Sequence, residues 1–404
     1  MRTEGPSWLP SLPQGWSLAR GRTVARLVQR PPSAGEGVVT AFRDGQVTLR
    51  SNRRIDGFTE AVQEIGYQGV RAGELVIHSM DGFAGAMGVS DSDGKMSPVV
   101  HIYSVPDDNP YYVAHALRIA AHSGFIQSLA KGIRERSTSF DKPTFKDMLL
   151  PRPPRAEQDA IVTYLDRETA RIDTLIEEQQ CLIEMLRERR EATIRSALLS
   201  GLDDAETAPS GVELLGAVPK HWRMVPTRYL CRITTGSEDS GNATDDGDYP
   251  FYVRGREVLR IDHYSFEGEA VMTPGDGQGG TGKVFHYFDG KFEAHQRVYV
   301  FTDFRDVTGW YFYYFLSTFL RPVALAGSNT VTMESLRRPL LADFKVAVPP
   351  IGEQQRITAY LDDQTAKIDT LIVEAERFIE LARERRSALI TATVTGQVDV
   401  REKV

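Results

Sequence analysis

The chain has 404 residues, 41% hydrophobic and 25% charged, an ordinary balance for folded protein with room for two or three cored domains. A net charge of −7 argues against a simple nucleic-acid binder, two cysteines imply no disulfide framework, and the eight histidines show no metal-site spacing. No run approaches the roughly 18 apolar residues of a membrane span, and residues 1–16 lack the apolar core of a signal peptide, so a reducing cytoplasm is the expected setting.

Residues 1–152 form a first globular segment. Short apolar runs at 38–42, 47–49, 75–77 and 99–105 are broken by Gly, Asp and Asn, which is strand-and-turn texture. Residues 110 to about 130 read as a helix, with Asp107, Asp108 and Asn109 as candidate caps. A basic, hydroxyl-rich run, KGIRERSTSF, follows from Lys131.

Residues 153–201 read as one long helix, opening on Pro153-Pro154 and ending near Gly201. Leu165, Ile172, Leu175, Leu182 and Leu186 fall at coiled-coil spacings, with Glu and Arg on the other faces. Residues 202–215 are polar, hold a Pro and a Ser-Gly, and read as a linker.

Residues 216–348 echo the first segment. Pro13 and Trp16 return as Pro219 and Trp222, GELVIHSMDG from Gly73 returns as GEAVMTPGDG from Gly268, and GKMSPVVHIY from Gly94 returns as GKFEAHQRVY from Gly290. The stretch WYFYYFLSTFL from Trp310 is too short for a bilayer and reads as a buried helix. Residues 349–396 then repeat the long helix, Pro349–Arg386 matching Pro153–Arg190 without a gap and with more than half of the positions identical, and residues 397–404 form a tail. Leu361, Ile368, Leu371, Phe378 and Ala382 occupy the matching seam places. A helix of about 40 residues, some 60 Å long, needs a partner for its one apolar stripe, and the other copy has the best-matched one.

Two motifs invite enzymatic readings that their context opposes. GQGGTGK from Gly277 fits the first seven positions of a phosphate-binding loop, but Val284 replaces the magnesium-binding hydroxyl and VFHYFDG reads as a strand. Asn109-Pro110-Tyr111-Tyr112 resembles an amino-methyltransferase signature, yet it lacks a second proline and a glycine-rich cofactor loop, and capping explains it better. No nucleophile–base set or carboxylate pair recurs in both halves.

Candidate nucleic-acid contacts are Arg50, Arg53 and Arg54, then Lys131, Arg134, Arg136 and Ser137, and in the second half Arg254, Arg256 and Arg260. The recurring stretch adds His78, Ser79 and Asp81 in one half and Asp276, Gln278 and Lys283 in the other. Ser328, Asn329 and Thr330 supply a hydroxyl-rich turn. The arginine clusters are alternatively solvated surface. Asp81 and Asp276, each before a glycine, either organise turns or accept from a cytosine amino group.

The Pro-Pro-x-x-Glu-Gln start, the Tyr-Leu-Asp and Ile-Asp-Thr-Leu-Ile runs and the Arg-Glu-Arg-Arg end, all present twice, resemble the specificity subunit of Type I restriction–modification systems. The resemblance implies an α+β fold: two α/β target-recognition domains separated by two long helices that form an antiparallel coiled coil, a pseudo-twofold tandem repeat. It implies that each domain reads one half of a split double-stranded DNA target and that the helices bind two modification subunits carrying S-adenosylmethionine. Restriction subunits, using ATP and magnesium, join that core. The chain itself is then no enzyme and holds no cofactor or metal. The alternative is a coiled-coil scaffold for another assembly, without sequence readout.

Overall fold

The computed structural model describes residues 6–53, 65–129, 139–276, 282–326 and 336–401. The chain divides into two compact units, Met1–Gln179 with Phe378–Val404, and Gln180–Arg377.

In the first unit β1 (Ser17–Arg20) leads through the single turn α1 (Gly21–Val24) to β2 (Arg26–Val28). The hairpin β3 (Val39–Ala41) and β4 (Val47–Leu49) follows, then β5 (Gln68–Val70), β6 (Leu75–His78), β7 (Met87–Val89), β8 (Gly94–Met96) and β9 (Val100–Ser104). The main sheet is antiparallel in the order β2-β9-β6-β7, while β3 pairs β4 and β5 pairs β8. Leu75, Val76, Ile77 and Ile102 are fully buried in it, as β-branched and leucine side chains on a two-sided strand should be.

Helix α2 (Pro110–His122) starts where Asn109 accepts hydrogen bonds from the backbone N–H groups of Tyr111 and Tyr112, with Pro110 in the first turn. It ends earlier than its apolar pattern suggests. Gly124, at φ +78°, turns the chain into the short α3 (Phe125–Leu129). After α4 (Lys142–Asp147), β10 (Leu149–Arg152) returns to pair with β1 and delivers the chain to α5 (Arg155–Ser200).

One histidine of α2 carries a pH prediction. Burial, and then the charges of Arg118 and Arg386, push the His115 imidazole down to about 4. The folded state therefore prefers the neutral ring. Its contribution is complete above the free value near 6.5 and is lost as pH falls from there towards 4. Lowering the pH from 7 to 5 is expected to cost about 2 kcal/mol at this group. His115→Gln should flatten that part of a melting-temperature profile, and an unchanged slope would rule the account out.

The second unit begins with the segment read as a linker. That reading needs correcting: β11 (Thr207–Pro209) pairs with β12 (Ala217–Pro219), and Leu215 and Ser210 are buried, so the segment is folded onto the unit. Next come β13 (Arg223–Pro226), α6 (Thr227–Leu230), β14 (Arg232–Thr235), β15 (Tyr249–Tyr252), β16 (Val258–Ile261), β17 (Phe266–Pro274), β18 (His286–Ala294) and β19 (Val298–Thr302). Their sheet runs β14-β19-β17-β18-β15-β16. Its first four strands repeat the order and connections of β2-β9-β6-β7. The faint sequence echo is thus one strand frame used twice, with different strands added around it.

Helix α7 (Gly309–Ala326) is the aromatic stretch, and Tyr311, Phe312, Phe315, Leu316, Phe319 and Leu320 are buried in the main core of the unit. Then α8 (Arg338–Asp343) and β20 (Lys345–Val348) lead to α9 (Ile351–Val394), β20 pairing with β13 as β10 pairs with β1. No helix among the described residues is long and apolar enough to cross a membrane. Cys181 is exposed and Cys231 buried, both free.

The two long helices run antiparallel. In the first unit Arg386 makes a two-pronged ion pair with Asp173, at 2.8 and 3.1 Å; in the second Arg190 does the same with Asp369, at 2.8 and 3.3 Å. These four residues are two copies of one pair, each linking the two helices. The buried positions advance by coiled-coil steps: Leu165, Ile172, Ile183, Leu186, Ile194 and Ala197 on α5, and Leu361, Ile368, Ala375, Ile379 and Ala382 on α9. The seam read from sequence is corrected at Leu175, Leu182, Leu371 and Phe378, which are exposed. Steps of three, four and three from Ile172 lead to Leu182, while four, three and four lead to Ile183, and burial follows the second path; the same holds for Phe378 and Ile379 counted from Ile368.

The repeated Glu-Gln of each helix start has a structural duty. Glu157 accepts from the Trp16 indole at 3.0 Å, and Glu353 from the Trp222 indole at 3.1 Å. Gln158 and Gln354 are buried and bridge the start of the long helix to that of α2 or α7. The opposite helix ends on a left-handed glycine beside the same tryptophan: Gly396 at φ +77° near Trp16, Gly201 at φ +72° near Trp222. A Cβ on Gly396 would lie 2.3 Å from the Pro13 ring, which is why no larger residue fits.

Candidate nucleic-acid interface

In the first unit, strand β6 ends at His78, and Asp81 follows in a tight turn. The carboxylate of Asp81 accepts a hydrogen bond from Arg43 Nη2 at 2.8 Å. His78 Nδ1 accepts from the backbone N–H of Asp81 at 3.0 Å, which needs a neutral ring protonated on Nε2, and burial indeed lowers the pKa of this histidine. Ser79 Oγ donates to the Val99 carbonyl. Arg43, His78 and Asp81 border a half-open groove of about 570 Å³ that also takes in Thr40, Arg50, Arg53 and Tyr67.

The cations of this groove are unequally engaged. Arg53 forms an ion pair with Asp44 at 2.7 Å and lies 4.2 Å from the centre of the Phe42 ring, so it braces the hairpin. Arg50 Nε lies 3.5 Å from Thr40 Oγ1. Arg43 keeps 69% of its side chain exposed despite its bond to Asp81. His101 stands deeper. Burial and then Lys142 push its pKa down to about 4.

In the second unit Asp276 holds the corresponding place beyond β17. Arg297 Nη1 donates to it at 2.7 Å, and Arg254 Nη1 stands 3.8 Å from its other oxygen. His295 Nδ1 accepts from the backbone N–H of Arg297 at 3.0 Å, again the neutral form, its pKa lowered by burial and then by Arg254. Arg260 is turned inward to the carbonyls of Gly247 and Asp248. Arg256 and Lys283 are exposed.

The structure therefore brings together Arg50, Arg53, His78 and Asp81 in one unit, with Ser79 turned to the Val99 carbonyl instead, and Arg254 and Asp276 in the other. Arg54, Lys131, Arg134, Arg136, Ser137, Gln278, Ser328, Asn329 and Thr330 lie outside the described residues, as does most of the GQGGTGK run. Sequence reasoning missed Arg43, Tyr67 and Arg297. Their only signal is proximity to an Asp-Gly turn once strand pairing is known, which the sequence does not display.

Comparison with known proteins places this geometry. Residues 219–376 match the Type I restriction modification DNA specificity domain family. The EcoDI specificity subunit of a Type I restriction enzyme from Escherichia coli is 28% identical over 183 residues, 45% of this chain and 40% of the relative. The EcoBI specificity subunit, also from Escherichia coli, is 29% identical over 93 residues, 23% of this chain and 19% of the relative. The matched part is thus less than half the length of these curated relatives. A chain solved in work on complex assembly and conformational transition of the type I R-M system superposes with a TM-score of 0.74 at 16% identity, covering 96% of this chain and 100% of that one. The HsdS subunit from Thermoanaerobacter tengcongensis gives 0.60 at 16% identity, covering 96% and 99%. Residues 219–376 thus match the Type I restriction modification DNA specificity domain family, and the chain as a whole, with the same strand frame twice and a long helix after each, shares the fold of the solved HsdS subunit.

Proposed function

We propose that this chain is the DNA-reading subunit of a Type I restriction–modification assembly, each unit reading one half of a two-part duplex target. The observation that carries the reading is the repeated frame: the same four-strand order, with an aspartate–arginine pair just past the central strand, inside two otherwise different sets of strands. Identical frames with different surroundings suit one task performed on two different sequences. Methyl transfer with S-adenosylmethionine, and ATP- and magnesium-dependent cleavage, reside on partner subunits in the cytoplasm. This chain supplies recognition and attachment.

Attachment has its own support. Leu175, Leu182 and Met185 on α5, and Leu371, Phe378 and Leu381 on α9, are exposed large apolar side chains at equivalent places of the two copies. Large apolar residues left in water at helical spacing mark a face that a partner covers. Two copies of that face suit two modification subunits.

The test is an exchange of residues 216–348 for those of a related subunit, in the full chain co-expressed with its methyltransferase partners. Mapping of methylated adenines should show one half of the target replaced and the other kept. Replacement of both halves, or methylation without any sequence selection, would sink the proposal.

A further inference from the structure

We infer that Arg43 and Arg297 are the base-reading side chains of the two units, that each reads the major-groove edge of a guanine, and that Asp81 and Asp276 orient them. This rests on the DNA-reading proposal above and makes it specific to a base and to two residues.

The first ground is that one arrangement is built by two routes. Asp81 and Asp276 occupy matching places beyond β6 and β17, but their arginines do not correspond. Arg43 comes from the turn between β3 and β4, whereas Arg297 comes from the turn into β19. In the aligned stretches GKMSPVVHIY and GKFEAHQRVY, the first-unit residue matching Arg297 is His101. An arginine–carboxylate pair at the same spot from two unrelated positions is not a relic of the duplication. Stability does not explain it either, since ion pairs this exposed contribute little.

The second ground is what each partner has left to offer. The arginine side chains are 69% and 55% exposed, the bond to each aspartate uses one terminal nitrogen, and the fork retains further N–H donors. Two parallel donors match O6 and N7 of guanine. The aspartates are less exposed, at 38% and 33%, and already accept from the arginine, so they are poorly placed to take a cytosine amino proton. A carboxylate behind a guanidinium fixes a long side chain that would otherwise lose rotamer freedom on binding. His78 and His295 each hold one backbone N–H of the pair, fixing the turn that carries it.

The third ground is elimination among neighbours. Arg53 is tied to Asp44 and the Phe42 ring, and Arg260 is spent on two carbonyls.

The experiment uses the full chain assembled with its methyltransferase subunits. Duplexes carry the mapped target and single replacements of each G·C pair. For the wild type, each half should contain one G·C pair whose replacement weakens binding by about 10- to 100-fold. Arg43→Ala should abolish that discrimination in one half only, and Arg297→Ala in the other. Arg43→Lys and Arg297→Lys keep the charge but not the fork. They should lose it too, which guards against a variant that merely fails to assemble. Asp81→Asn and Asp276→Asn should keep the same preferred base with a smaller ratio. If the wild type selects no sequence, the DNA-reading proposal falls and this inference with it. If the wild type selects a sequence while both arginine variants keep full discrimination at every G·C pair, the inference alone falls. A change of preferred base on altering the aspartate but not the arginine would equally overturn it.

Discussion

Leu361→Ala is expected to lower the stability of the second unit by about 3 kcal/mol, while Leu371→Ala, ten residues along the same helix, should cost under about 0.5 kcal/mol. Leu361 has no exposed surface and belongs to the core shared by Tyr311, Phe315 and Ile357. Truncation removes its methyl groups from water-free contact and leaves a cavity that a wall of rings and β-branched side chains cannot close. Leu371 is 49% exposed and already meets solvent in the isolated chain. Leu165→Ala, at the matching place in the first unit and 1% exposed, should behave as Leu361→Ala does. Thermal unfolding followed by calorimetry resolves the two. Equal destabilisation by Leu361→Ala and Leu371→Ala would mean that the seam has been assigned to the wrong register. The exposed row gives the complementary result: Leu371→Glu with Phe378→Glu should leave the melting temperature nearly unchanged and weaken capture of the methyltransferase subunits proposed above at least tenfold, about 1.4 kcal/mol.

Gln354→Glu is expected to destabilise by about 3 kcal/mol or more at neutral pH, a large effect for a change of one atom type. Gln354 is fully buried; its Nε2 donates to the carbonyls of Asp306 and Pro349 at 2.9 and 2.8 Å, and its Oε1 accepts from the Thr308 N–H at 2.9 Å. A carboxylate keeps the last bond but turns two donated bonds into contacts between a negative charge and two carbonyl oxygens. Gln158→Glu should be at least as harmful. Gln158 Nε2 donates to Asp108 Oδ1 at 2.7 Å, so the variant would set two carboxylates against each other under the single charge of Arg152. A distinctive pH signature follows. The buried glutamic acid would have a folded pKa above its unfolded value near 4.3, so acid stabilises it. Both variants should recover stability between pH 8 and 5, while the wild type loses some there through its histidines. A deficit independent of pH would show that packing, not charge, is at fault.

The same two residues mark how far the sequence could be read. Pro-Pro-x-x-Glu-Gln stands in the sequence as a repeat, and Trp16 and Trp222 as another, with nothing in the sequence to join them. Only the fold shows that Glu holds the tryptophan just before β1 or β13 and that Gln holds the start of α2 or α7. The long helices were legible because a heptad pattern is local. Their seam was legible only in part, because Leu182-Ile183 and Phe378-Ile379 each offer two adjacent apolar residues, and periodicity alone does not say which faces inward. The strand frame was harder still. Pairing β6 with β9 or β17 with β19 is a long-range choice, and with it goes the knowledge that Arg43 meets Asp81 and Arg297 meets Asp276. The aspartates were found through their glycines; the arginines had no such flag.

The division of the chain also bears on its birth at the ribosome. The first unit consists of Met1–Gln179 closed by Phe378–Val404, and the second lies between them in the message. Val394 and Val400 are buried in the first unit, and the Tyr112 hydroxyl donates to the Val394 carbonyl at 3.1 Å. The part made before residue 180 therefore waits for the part made after residue 377. At about 5–20 residues per second, it stays unfinished for some ten seconds or more while the intervening unit is translated. The nascent first unit exposes its unfilled apolar face throughout that interval, so chaperone depletion or slow codons within 180–377 should harm the yield of this protein more than either does for a chain whose domains close in order.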